Sequence, residues 1–436
     1  MARASVIVVS WNGETYLKDC LDAILTQMCS SDEVIVVDNA SADGSADFVA
    51  KNYPQMHLIR NQHNLGFAGG CNIGLRAAQG DVLVLLNQDT IVNPNWLRIL
   101  SDALQDHKVG VVGCKVFYPD GETIQHAGGW IEWPLGEAHH YGQRERDTGE
   151  WDTSRTVEYV TGAAMAFRRD VLEEVGFLDE DFWPGYFEDA DFCLRVLKAG
   201  YEIWYIPEAT LTHVETTSLT DQSLIWQFYH RGRLRFLLKH MAPDQFLTQF
   251  VPAEELHQIT VISAFGSQPL CKAYLEAVSR TASILHHYWQ AKQETISEVI
   301  RALQHLHSLA WARGWQKIEE SIKSAVAIPP SLARSDHEVS STEMTIVPQL
   351  QEFEFRSDVP IVGPFISRFR SFWYGIAARW GIRYLMQQQE AINQYYQCYI
   401  EALEEALEQR LAELADENAL LAKEIANLIY KSVEIL

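Results

Sequence analysis

Residues 5–115 alternate short β-branched apolar runs with segments in which apolar residues recur every three or four positions. The strand-like runs are SVIVVSW at 5–11, EVIVVDN at 33–39, HLIRN at 57–61 and DVLVLLN at 81–87. Strands that are apolar on both faces are typical of a parallel sheet with helices on each side. The pattern therefore predicts an α/β fold with a mostly parallel sheet and helices on both faces.

The pattern changes after the fourth predicted strand. Residues 116–160 are rich in Gly, Trp, His and charge without a clear period, and we predict an excursion that packs over one end of the sheet. The segments at 157–176, 189–200 and 201–207 then predict a strand, a turn of small residues, helices and a last strand. A helical pattern closes this region near residue 243, so we place a first domain at residues 1–243.

The second half of the chain has a largely helical pattern. We predict a helical extension at 244–327, a Pro/Ser-rich linker at 328–350 and an aromatic, basic helical segment at 351–399. Heptad spacing at 400–436 predicts a coiled coil, and Asn418 at an a-type position favours a two-stranded homodimer over a trimer. The heptad positions are Leu407, Leu411, Leu414, Asn418, Leu421, Ile425 and Leu428. The alternative is a long helix that packs on its own domain.

Aromatic and arginine residues are concentrated at 361–383. Such a segment can lie on an anionic membrane surface, where it would meet a lipid-linked acceptor. The alternative is an internal pair of helices that buries the aromatic rings. The sequence leaves both interpretations open.

Length and composition bound the class of protein. A chain of 436 residues indicates two or three domains, and 47% hydrophobic residues are enough for a large core. The net charge of −23 argues against a nucleic-acid partner, because such a partner requires a basic face. An anionic ligand must therefore be held locally, by a metal ion, a helix N-terminus or a few arginines.

Cysteine usage and hydropathy indicate the compartment. The seven cysteines are an odd number and are scattered without CxxC pairs, which favours a reducing environment over a disulfide framework. The first apolar stretch is too short for a signal peptide or a membrane span and matches a first strand. We therefore predict a cytoplasmic protein, with contact at the inner face of the cell membrane if 361–383 binds lipid.

Polar residues follow the strands at the carboxyl ends, where ligands bind in parallel sheets. Asp89, in NQDT, can hold Mg²⁺ or Mn²⁺, although a turn aspartate is an equally good explanation. Asp38 and Asn39, in DNAS, can accept a hydrogen bond from a nucleobase or ribose, or can serve as loop and N-cap residues. The glycine-rich turn at 64–70 lets backbone approach an anion but matches neither the P-loop nor GxGxxG.

Two adjacent carboxylates, Glu188 and Asp189, begin a predicted helix between aromatic residues. The helix dipole stabilises the anion while burial raises its pKa, so one of the two can act as a general base. Simple N-capping is the alternative. His213 ends the next predicted strand and is either a metal ligand or a buried polar residue.

Taken in order, the segments VVDNASADGS, NLGFAGGCNIG, LLNQDT, TGAAMAFRR, YFEDADFCLRVLKAGY and LTH resemble the family 2 glycosyltransferases, particularly the rhamnosyltransferase-like group. The resemblance spans about residues 4–240, and the ordered set is more specific than any single motif. It implies the A-type glycosyltransferase fold with a Rossmann-like nucleotide-diphospho-sugar transferase sheet. It also implies single displacement of a nucleoside diphosphate by an acceptor hydroxyl, with inversion at the anomeric carbon.

The resemblance assigns roles by position. Asp38 contacts the donor's base, Asp89 and His213 hold the divalent metal, and Asp189 deprotonates the acceptor with Glu188 beside it. Gly162 and Ala163 lie close to the sugar and the acceptor, and Arg231 or Arg233 reaches the diphosphate. The remaining predicted substrate-binding residues are Trp11, Asn39, Asn64, Gly66 and Asn87.

The chain departs from the family at the metal motif, where Asn87-Gln88-Asp89 stands in place of two aspartates, so cation affinity is expected to be modest. The sugar, the glycan or lipid-linked acceptor and the linkage are not fixed by the sequence. Rhamnose or another deoxy sugar on a thymidine carrier is the first expectation, with uridine and guanosine carriers open. A sugar-phosphate nucleotidyltransferase and a non-catalytic coiled-coil scaffold built on an inactive transferase domain are the rival functions.

Overall fold

The computed structural model describes residues 3–214 and 222–326, with side chains up to residue 317. These residues belong to one compact unit that extends to Ala333. The predicted linker at 328–350, the aromatic and basic segment with its membrane-contact stretch 361–383, and the coiled coil at 400–436 lie outside the described residues. Those predictions stay predictions.

Four parallel strands form the nucleus of the sheet: β1 (Ala4–Ser10), β2 (Glu33–Asp38), β3 (His57–Arg60) and β4 (Val82–Asn87). Their order is β3-β2-β1-β4, with Ser10 paired to Asp38 and Val9 paired to Asn87. The strands end on one rim, as expected for a parallel sheet. This register places the polar residues that follow β1, β2 and β4 side by side.

Helices cover both faces of this sheet. They are α1 (Glu14–Leu25), α2 (Ser45–Asn52), α3 (Gly66–Ala77), α4 (Trp96–Ala103), α5 (Arg169–Val175) and α6 (Glu188–Lys198). Successive residues of a strand face opposite sides, so Ile7 and Leu85 enter the core with α3 and α6, while Val6 and Val84 enter the core with α1 and α4. The apolar composition of the strands is therefore explained by two cores, and the predicted α/β fold is confirmed.

The second part of the sheet is mixed. Its remaining strands are β5 (Thr90–Val92), β6 (Val109–Phe117), β7 (Ile124–His126), β10 (Arg155–Thr156), β11 (Ala164–Arg168) and β12 (Glu202–His213). Strands β8 (Gly129–Glu132) and β9 (Glu137–His140) form a separate two-stranded sheet. β11 inserts antiparallel between β4 and β6, and β12 runs parallel to β6. The predicted excursion at 116–160 consists of β7, the β8–β9 hairpin and β10. The antiparallel pairs bring the 161–163 turn and His213 to the rim of the parallel strands.

A helical extension follows the sheet. It consists of α7 (Gln222–His240), α8 (Pro243–Gln245), a π-helical turn (Phe246–Phe250), α9 (Val251–Phe265), α10 (Gln268–Trp289) and α11 (Gln293–Val326). Leu234, Leu237 and Leu238 of α7 pack in one core with α9, α10 and α11, whereas Phe236 packs in the core of the sheet. Helix α7 therefore contributes to cores on both sides of the predicted boundary at residue 243.

Within residues 3–214 and 222–326, every helix is too short or too polar to cross a bilayer.

Candidate active site

The ends of β1 and β4 are joined through one amide side chain. Gln88 accepts a hydrogen bond from the Trp11 N–H at 3.0 Å and donates one to the Trp11 carbonyl at 3.1 Å. A side chain on Gly13 would overlap the Gln88 amide, with a Cβ only 1.9 Å from Oε1. The pair of hydrogen bonds fixes the backbone of Trp11 beside the predicted metal motif.

Asp38 and Asn39 lie at the end of β2, and both are buried. The Asp38 carboxylate accepts a hydrogen bond from the Ser41 N–H at 3.3 Å through Oδ2. Its Oδ1 is buried and has no hydrogen-bond partner among the described residues. Because a buried acceptor normally has a partner, this oxygen is suited to a donor group of a ligand.

Asn39 organises the glycine-rich turn. Its Nδ2 donates to the side chain of Asn64 and to the Gly66 carbonyl, both at 2.9 Å. Its Oδ1 accepts from the Leu65 N–H at 3.0 Å. Asn39 and Asn64 therefore shape the turn from within and leave the ligand contacts to neighbouring groups.

Gly66 begins α3 with φ of +73°. A Cβ at this position would lie 2.7 Å from the Trp183 ring and 3.0 Å from the Pro184 carbonyl. Glycine is therefore required both for the left-handed backbone and for the contact with the 183–184 segment.

The predicted metal residues meet on the rim. His213 Nε2 lies 3.2 Å from Asp89 Oδ1 and 3.4 Å from Asn87 Nδ2. The second ring nitrogen, Nδ1, lies 2.7 Å from Gln125 Oε1 and donates its proton to that oxygen, so in this tautomer Nε2 is the nitrogen available to a metal ion. A carboxylate oxygen beside an unprotonated imidazole nitrogen is a donor set that fits Mn²⁺ or Mg²⁺.

Glu188 and Asp189 begin α6 as predicted. The two preceding residues, Tyr186 and Phe187, have φ of +78° and +74°. A non-glycine residue with positive φ has a strained backbone that costs free energy, and such strain is concentrated at functional sites. The Phe187 ring packs between Tyr229 and Phe236 of α7, which holds the strained turn in place.

The two adjacent carboxylates have different environments. Glu188 is 6% exposed, and its Oε2 has no hydrogen-bond partner among the described residues. Asp189 is partly exposed and accepts hydrogen bonds from the N–H groups of Gly162 at 2.9 Å and Ala190 at 2.8 Å. Asp189 is therefore the more accessible of the two carboxylates and the one that accepts the two N–H hydrogen bonds.

These environments separate the proton affinities. Burial, together with the neighbouring Asp189 charge, raises the pKa of Glu188 to about 8. Burial also raises the pKa of Asp189, but the N–H groups of Gly162 and Ala190 oppose that rise by stabilising the anion. The hydrogen bonds to Asp189 therefore favour the anion on Asp189 over the anion on Glu188.

A third carboxylate on α6 has a structural role. Asp191 contacts Lys239 at 2.6 Å, His240 at 2.8 Å and Arg195 at 3.0 Å. Although burial alone would raise it, the hydrogen bond from His240 and the positive charges of Lys239 and Arg195 hold the pKa of Asp191 well below its usual range. Asp191 thus fastens α6 to α7.

The turn at 161–163 connects the predicted metal residues with the predicted base. The Gly162 N–H donates to Asp189, and the Ala163 carbonyl accepts from the Asn87 N–H at 2.9 Å. A Cβ on Gly162 would lie 3.0 Å from the Phe67 ring. The structure therefore brings Gly162 and Ala163 into contact with two other predicted site residues.

The two arginines of α7 have other partners. Arg231 pairs with Glu276 of α10 at 3.2 Å and lies over the Phe228 ring. Arg233 is fully buried and pairs with Glu254 of α9. Burial in the helical extension prevents Arg233 from reaching a diphosphate in this structure, and the pairing of Arg231 with Glu276 gives no support to such a contact.

Sequence reasoning missed several residues that build the site. Gln125 and His126 lie on β7, in the stretch that has no periodic pattern, and each contacts a site residue or its turn. Gln88 was seen only as a departure from the metal motif. The local sequence around these residues carries no signal of their role, because each one reaches its partner only when distant segments of the chain pair.

Another group of possible metal ligands lies on the β8–β9 hairpin. Ligand atoms of Glu132, Glu137 and His139 are all within 4.8 Å of one another. His257 of α9 lies 2.9 Å from Glu137. This group contains none of the predicted site residues.

A mostly parallel sheet with a carboxylate and an imidazole on one rim, joined through the 161–163 turn to a carboxylate at a helix start, is the arrangement expected of an α/β sugar transferase. Residues 2–235 match the family described as Glycosyltransferase like family 2. This match covers more than half of the 436 residues, so the chain belongs to that family. The predicted family is confirmed.

Two curated relatives illustrate the similarity. A pre-mycofactocin glycosyltransferase of Mycobacterium tuberculosis is 31% identical over 221 residues, 49% of this chain and 43% of that protein. The N-acetylglucosaminyl-diphospho-decaprenol L-rhamnosyltransferase of the same organism is 25% identical over 255 residues, 53% of this chain and 83% of that protein. The chain spans between 18% and 43% of the length of three curated relatives that it matches, the pre-mycofactocin enzyme among them.

Solved structures also resemble the chain. The crystal structure of GalNAc-T7 with UDP, GalNAc and Mn²⁺ has a TM-score of 0.47 and 16% sequence identity, and the match covers 66% of this chain and 58% of that one.

Proposed function

We propose that the protein is an inverting glycosyltransferase that moves a sugar from a nucleoside-diphosphate donor to an acceptor hydroxyl, with Asp189 as general base. The observation that carries this proposal is the pairing of a partly exposed Asp189, which accepts two N–H hydrogen bonds, with a buried Glu188 whose pKa is raised to about 8. A single displacement requires one general base, and the hydrogen bonds to Asp189 favour its anion, the form that accepts a proton. Retaining glycoside hydrolases use two carboxylates across the sugar, and sequence neighbours are poorly placed for that.

The proposed step is balanced by one proton transfer. As the acceptor oxygen forms its bond to the anomeric carbon, its proton passes to Asp189. The bond between the anomeric carbon and the phosphate oxygen breaks, and the nucleoside diphosphate leaves with the electron pair. Attack opposite the leaving group inverts the anomeric configuration, and Asp189 later returns the proton to solvent.

Asp89 and His213 are proposed to hold the divalent cation. When bound, Mn²⁺ or Mg²⁺ supplies positive charge to the diphosphate and to the developing leaving group. Gln125 keeps His213 in the tautomer that ligation needs, and Asn87 lies within reach of the same site. A chain with a net charge of −23 needs such local charge to bind an anion.

Asp38 is proposed to bind the donor's nucleoside. Its buried Oδ1, which has no partner among the described residues, can accept from a base imide or a ribose hydroxyl. Trp11, Asn39, Asn64 and Gly66 surround this position and are proposed to shape the nucleoside site.

The donor sugar is proposed to be rhamnose or another deoxy sugar, and the acceptor a glycan or a lipid-linked glycan. The name of the decaprenol-linked rhamnosyltransferase supports this proposal, because it specifies both a rhamnosyl group and a lipid-linked acceptor for that relative. A cytoplasmic location and a coiled-coil dimer remain parts of the proposal.

Thermal unfolding with and without Mn²⁺ tests the donor and cation sites together. The panel contains thymidine, uridine and guanosine diphosphates and their hexose conjugates. A nucleotide at one hundred times its Kd stabilises the folded protein by about 2.7 kcal/mol, which raises Tm by several degrees. We expect a metal-dependent rise with one nucleotide class in the wild type and its loss in Asp89→Ala.

Asp102→Ala is the matched control, since Asp102 lies on α4 with a side chain 49% exposed. This variant is expected to keep the full shift. The absence of any nucleotide shift in the wild type would contradict the proposal and favour the scaffold function. Release of pyrophosphate from a nucleoside triphosphate and a sugar phosphate would favour the nucleotidyltransferase function instead.

A further inference from the structure

Two histidines outside the predicted site, the buried His126 and the partly exposed His140, contact each other behind the 161–163 turn. His126 ends β7 and is 1% exposed, and His140 ends β9. Their Nδ1 atoms lie 2.6 Å apart, and the two rings cross at 81°. The Tyr159 ring packs against both histidines at 5.8 Å.

The hydrogen bonds of this pair fix the positions of its protons. The Thr161 N–H points at His126 Nε2 over 3.3 Å, so that nitrogen must be the unprotonated one. His126 therefore carries its proton on Nδ1 and donates it to His140 Nδ1. His140 in turn carries its own proton on Nε2. Burial lowers the pKa of His126 well below its usual range and that of His140 to about 4, which keeps both rings neutral.

The residue that His126 anchors is next to the one that orients the base. Thr161 and Gly162 are consecutive, and the Gly162 N–H donates to Asp189 Oδ2 at 2.9 Å. The turn therefore donates two successive N–H groups to different partners. Thr161 donates to His126, and Gly162 donates to Asp189. A shift of Thr161 away from His126 would move the Gly162 donor relative to the carboxylate.

We propose that His126, held in its tautomer by His140, is a positioning residue for the base, because it fixes the Thr161-Gly162 turn that donates to Asp189. This inference rests on the proposed function and deepens it. His126 does not touch the reacting atoms. It acts on the proton affinity of Asp189, since the Gly162 N–H stabilises the ionised carboxylate.

Few other titratable groups face these residues. Asp189 is faced by Glu188 on its own helix, by Tyr159 and by Cys193. His126 is faced by His140 and Tyr159, and His140 is also faced by His139. Because Tyr159 contacts His126 and also faces Asp189, a change at His126 can reach Asp189 either through the turn or through Tyr159. Recovery of the Asp189 pKa in a variant that restores only the acceptor for Thr161 identifies the turn.

Two variants of His126 separate positioning from packing. His126→Leu fills the space but cannot accept from Thr161, whereas His126→Gln can accept through Oε1 and donate to His140 through Nε2. The pKa of Asp189 is measured by ¹³C NMR of the full chain labelled at aspartate carboxyl carbons, with Asp189→Asn to assign the signal. We expect His126→Leu to raise this pKa by about one unit. His126→Gln should restore the wild-type value.

The pH profile of kcat/KM gives a second readout with the nucleotide sugars of the panel. Loss of the Gly162 donor raises the pKa of the base, so the acidic limb moves to higher pH in His126→Leu. If this variant does not fold, His140→Leu replaces it, because His126 without its acceptor is free to take the other tautomer.

An unchanged Asp189 pKa in a folded His126→Leu would overturn the inference, as would an equal rise in His126→Gln. The NMR titration needs no substrate. A failure of the proposed function, seen as full transfer activity in Asp189→Asn, is therefore distinguishable from a failure of this inference.

Discussion

At the residue scale, hydrogen bonds decide which of two neighbouring carboxylates carries charge. Glu188 and Asp189 share a helix start among aromatic residues, but Glu188 is buried, whereas Asp189 is partly exposed and accepts two backbone N–H groups. A buried carboxyl without such donors keeps its proton. With a pKa of about 8, the Glu188 carboxyl is largely uncharged at pH 7, as a glutamine side chain would be.

This difference predicts unequal effects of two isosteric substitutions. Asp189→Asn removes the base and is expected to lower kcat by about 10²–10⁴-fold. Glu188→Gln replaces a neutral acid by a neutral amide and is expected to keep kcat within about tenfold of the wild type. Nucleoside diphosphate release under saturating donor measures both variants.

The opposite order of the two losses would contradict the assignment of Asp189 as base. Circular dichroism of both variants is the control, since both substitutions preserve side-chain volume and should preserve the fold.

Local sequence predicts candidate site residues from the residue type at the end of a strand or the start of a helix, and their roles stay predictions. Asp38, Asp89, Asp189 and His213 are of this kind, and the structure places Asp89 and His213 3.2 Å apart. Gln125 could not be predicted in this way, because its role depends on β7 pairing with β6 so that it reaches a histidine 88 positions away. The register between strands that meet only in the folded protein cannot be predicted from a local sequence pattern.

At the element scale, a buried ion pair joins α7 to α9. Arg233 and Glu254 are both fully buried, and Tyr274 of α10 also donates to the Glu254 carboxylate. Arg233 further donates to the Leu135 carbonyl at 2.8 Å, in the connection of the β8–β9 hairpin. One arginine therefore links three elements.

Removal of one partner leaves a buried charge without compensation. Glu254→Ala is expected to lower the free energy of unfolding by roughly 3–5 kcal/mol, as measured by urea denaturation. The matched control is Asp47→Ala. This substitution breaks an exposed ion pair, in which the Arg60 side chain is 50% exposed and the Asp47 side chain is 83% exposed. Exposed pairs contribute less than about 1 kcal/mol, so the control should stay near the wild type. Equal losses in the two variants would contradict this account.

The elements themselves differ in how well the sequence predicts them. Strands β1, β2 and β4 are continuous apolar runs, so they were predicted from composition and length. The β8–β9 hairpin has strands of four residues with intermediate burial at most positions, and its stretch shows no period. The antiparallel insertion of β11 between β4 and β6 is a property of chain topology, which periodicity does not encode.

At the scale of the whole molecule, the sheet and the helical extension share one helix. Neighbouring residues Phe236 and Leu237 of α7 belong to different cores. Burial of a leucine side chain contributes about 2–3 kcal/mol, so the leucines of α7 contribute substantially to the stability of the extension. The two parts are expected to unfold together.

Truncation tests this dependence. A chain that ends at residue 243 keeps α7 but loses the helices that cover Leu234, Leu237 and Leu238. We expect it to aggregate or to lose cooperative unfolding in calorimetry, whereas a chain of residues 1–333 should unfold in one transition near the wild-type Tm. A stable, monomeric 1–243 chain would show that the sheet does not need the extension.

The shared helix also matters during synthesis. The ribosome finishes α7 before α9, α10 and α11 exist, so the leucine face of that helix emerges without its covering helices. At roughly 5–20 residues per second, the chain up to the end of α10 takes several more seconds to appear. During that interval the nascent chain exposes the apolar leucine face of α7. A chaperone at the exit tunnel can bind this surface.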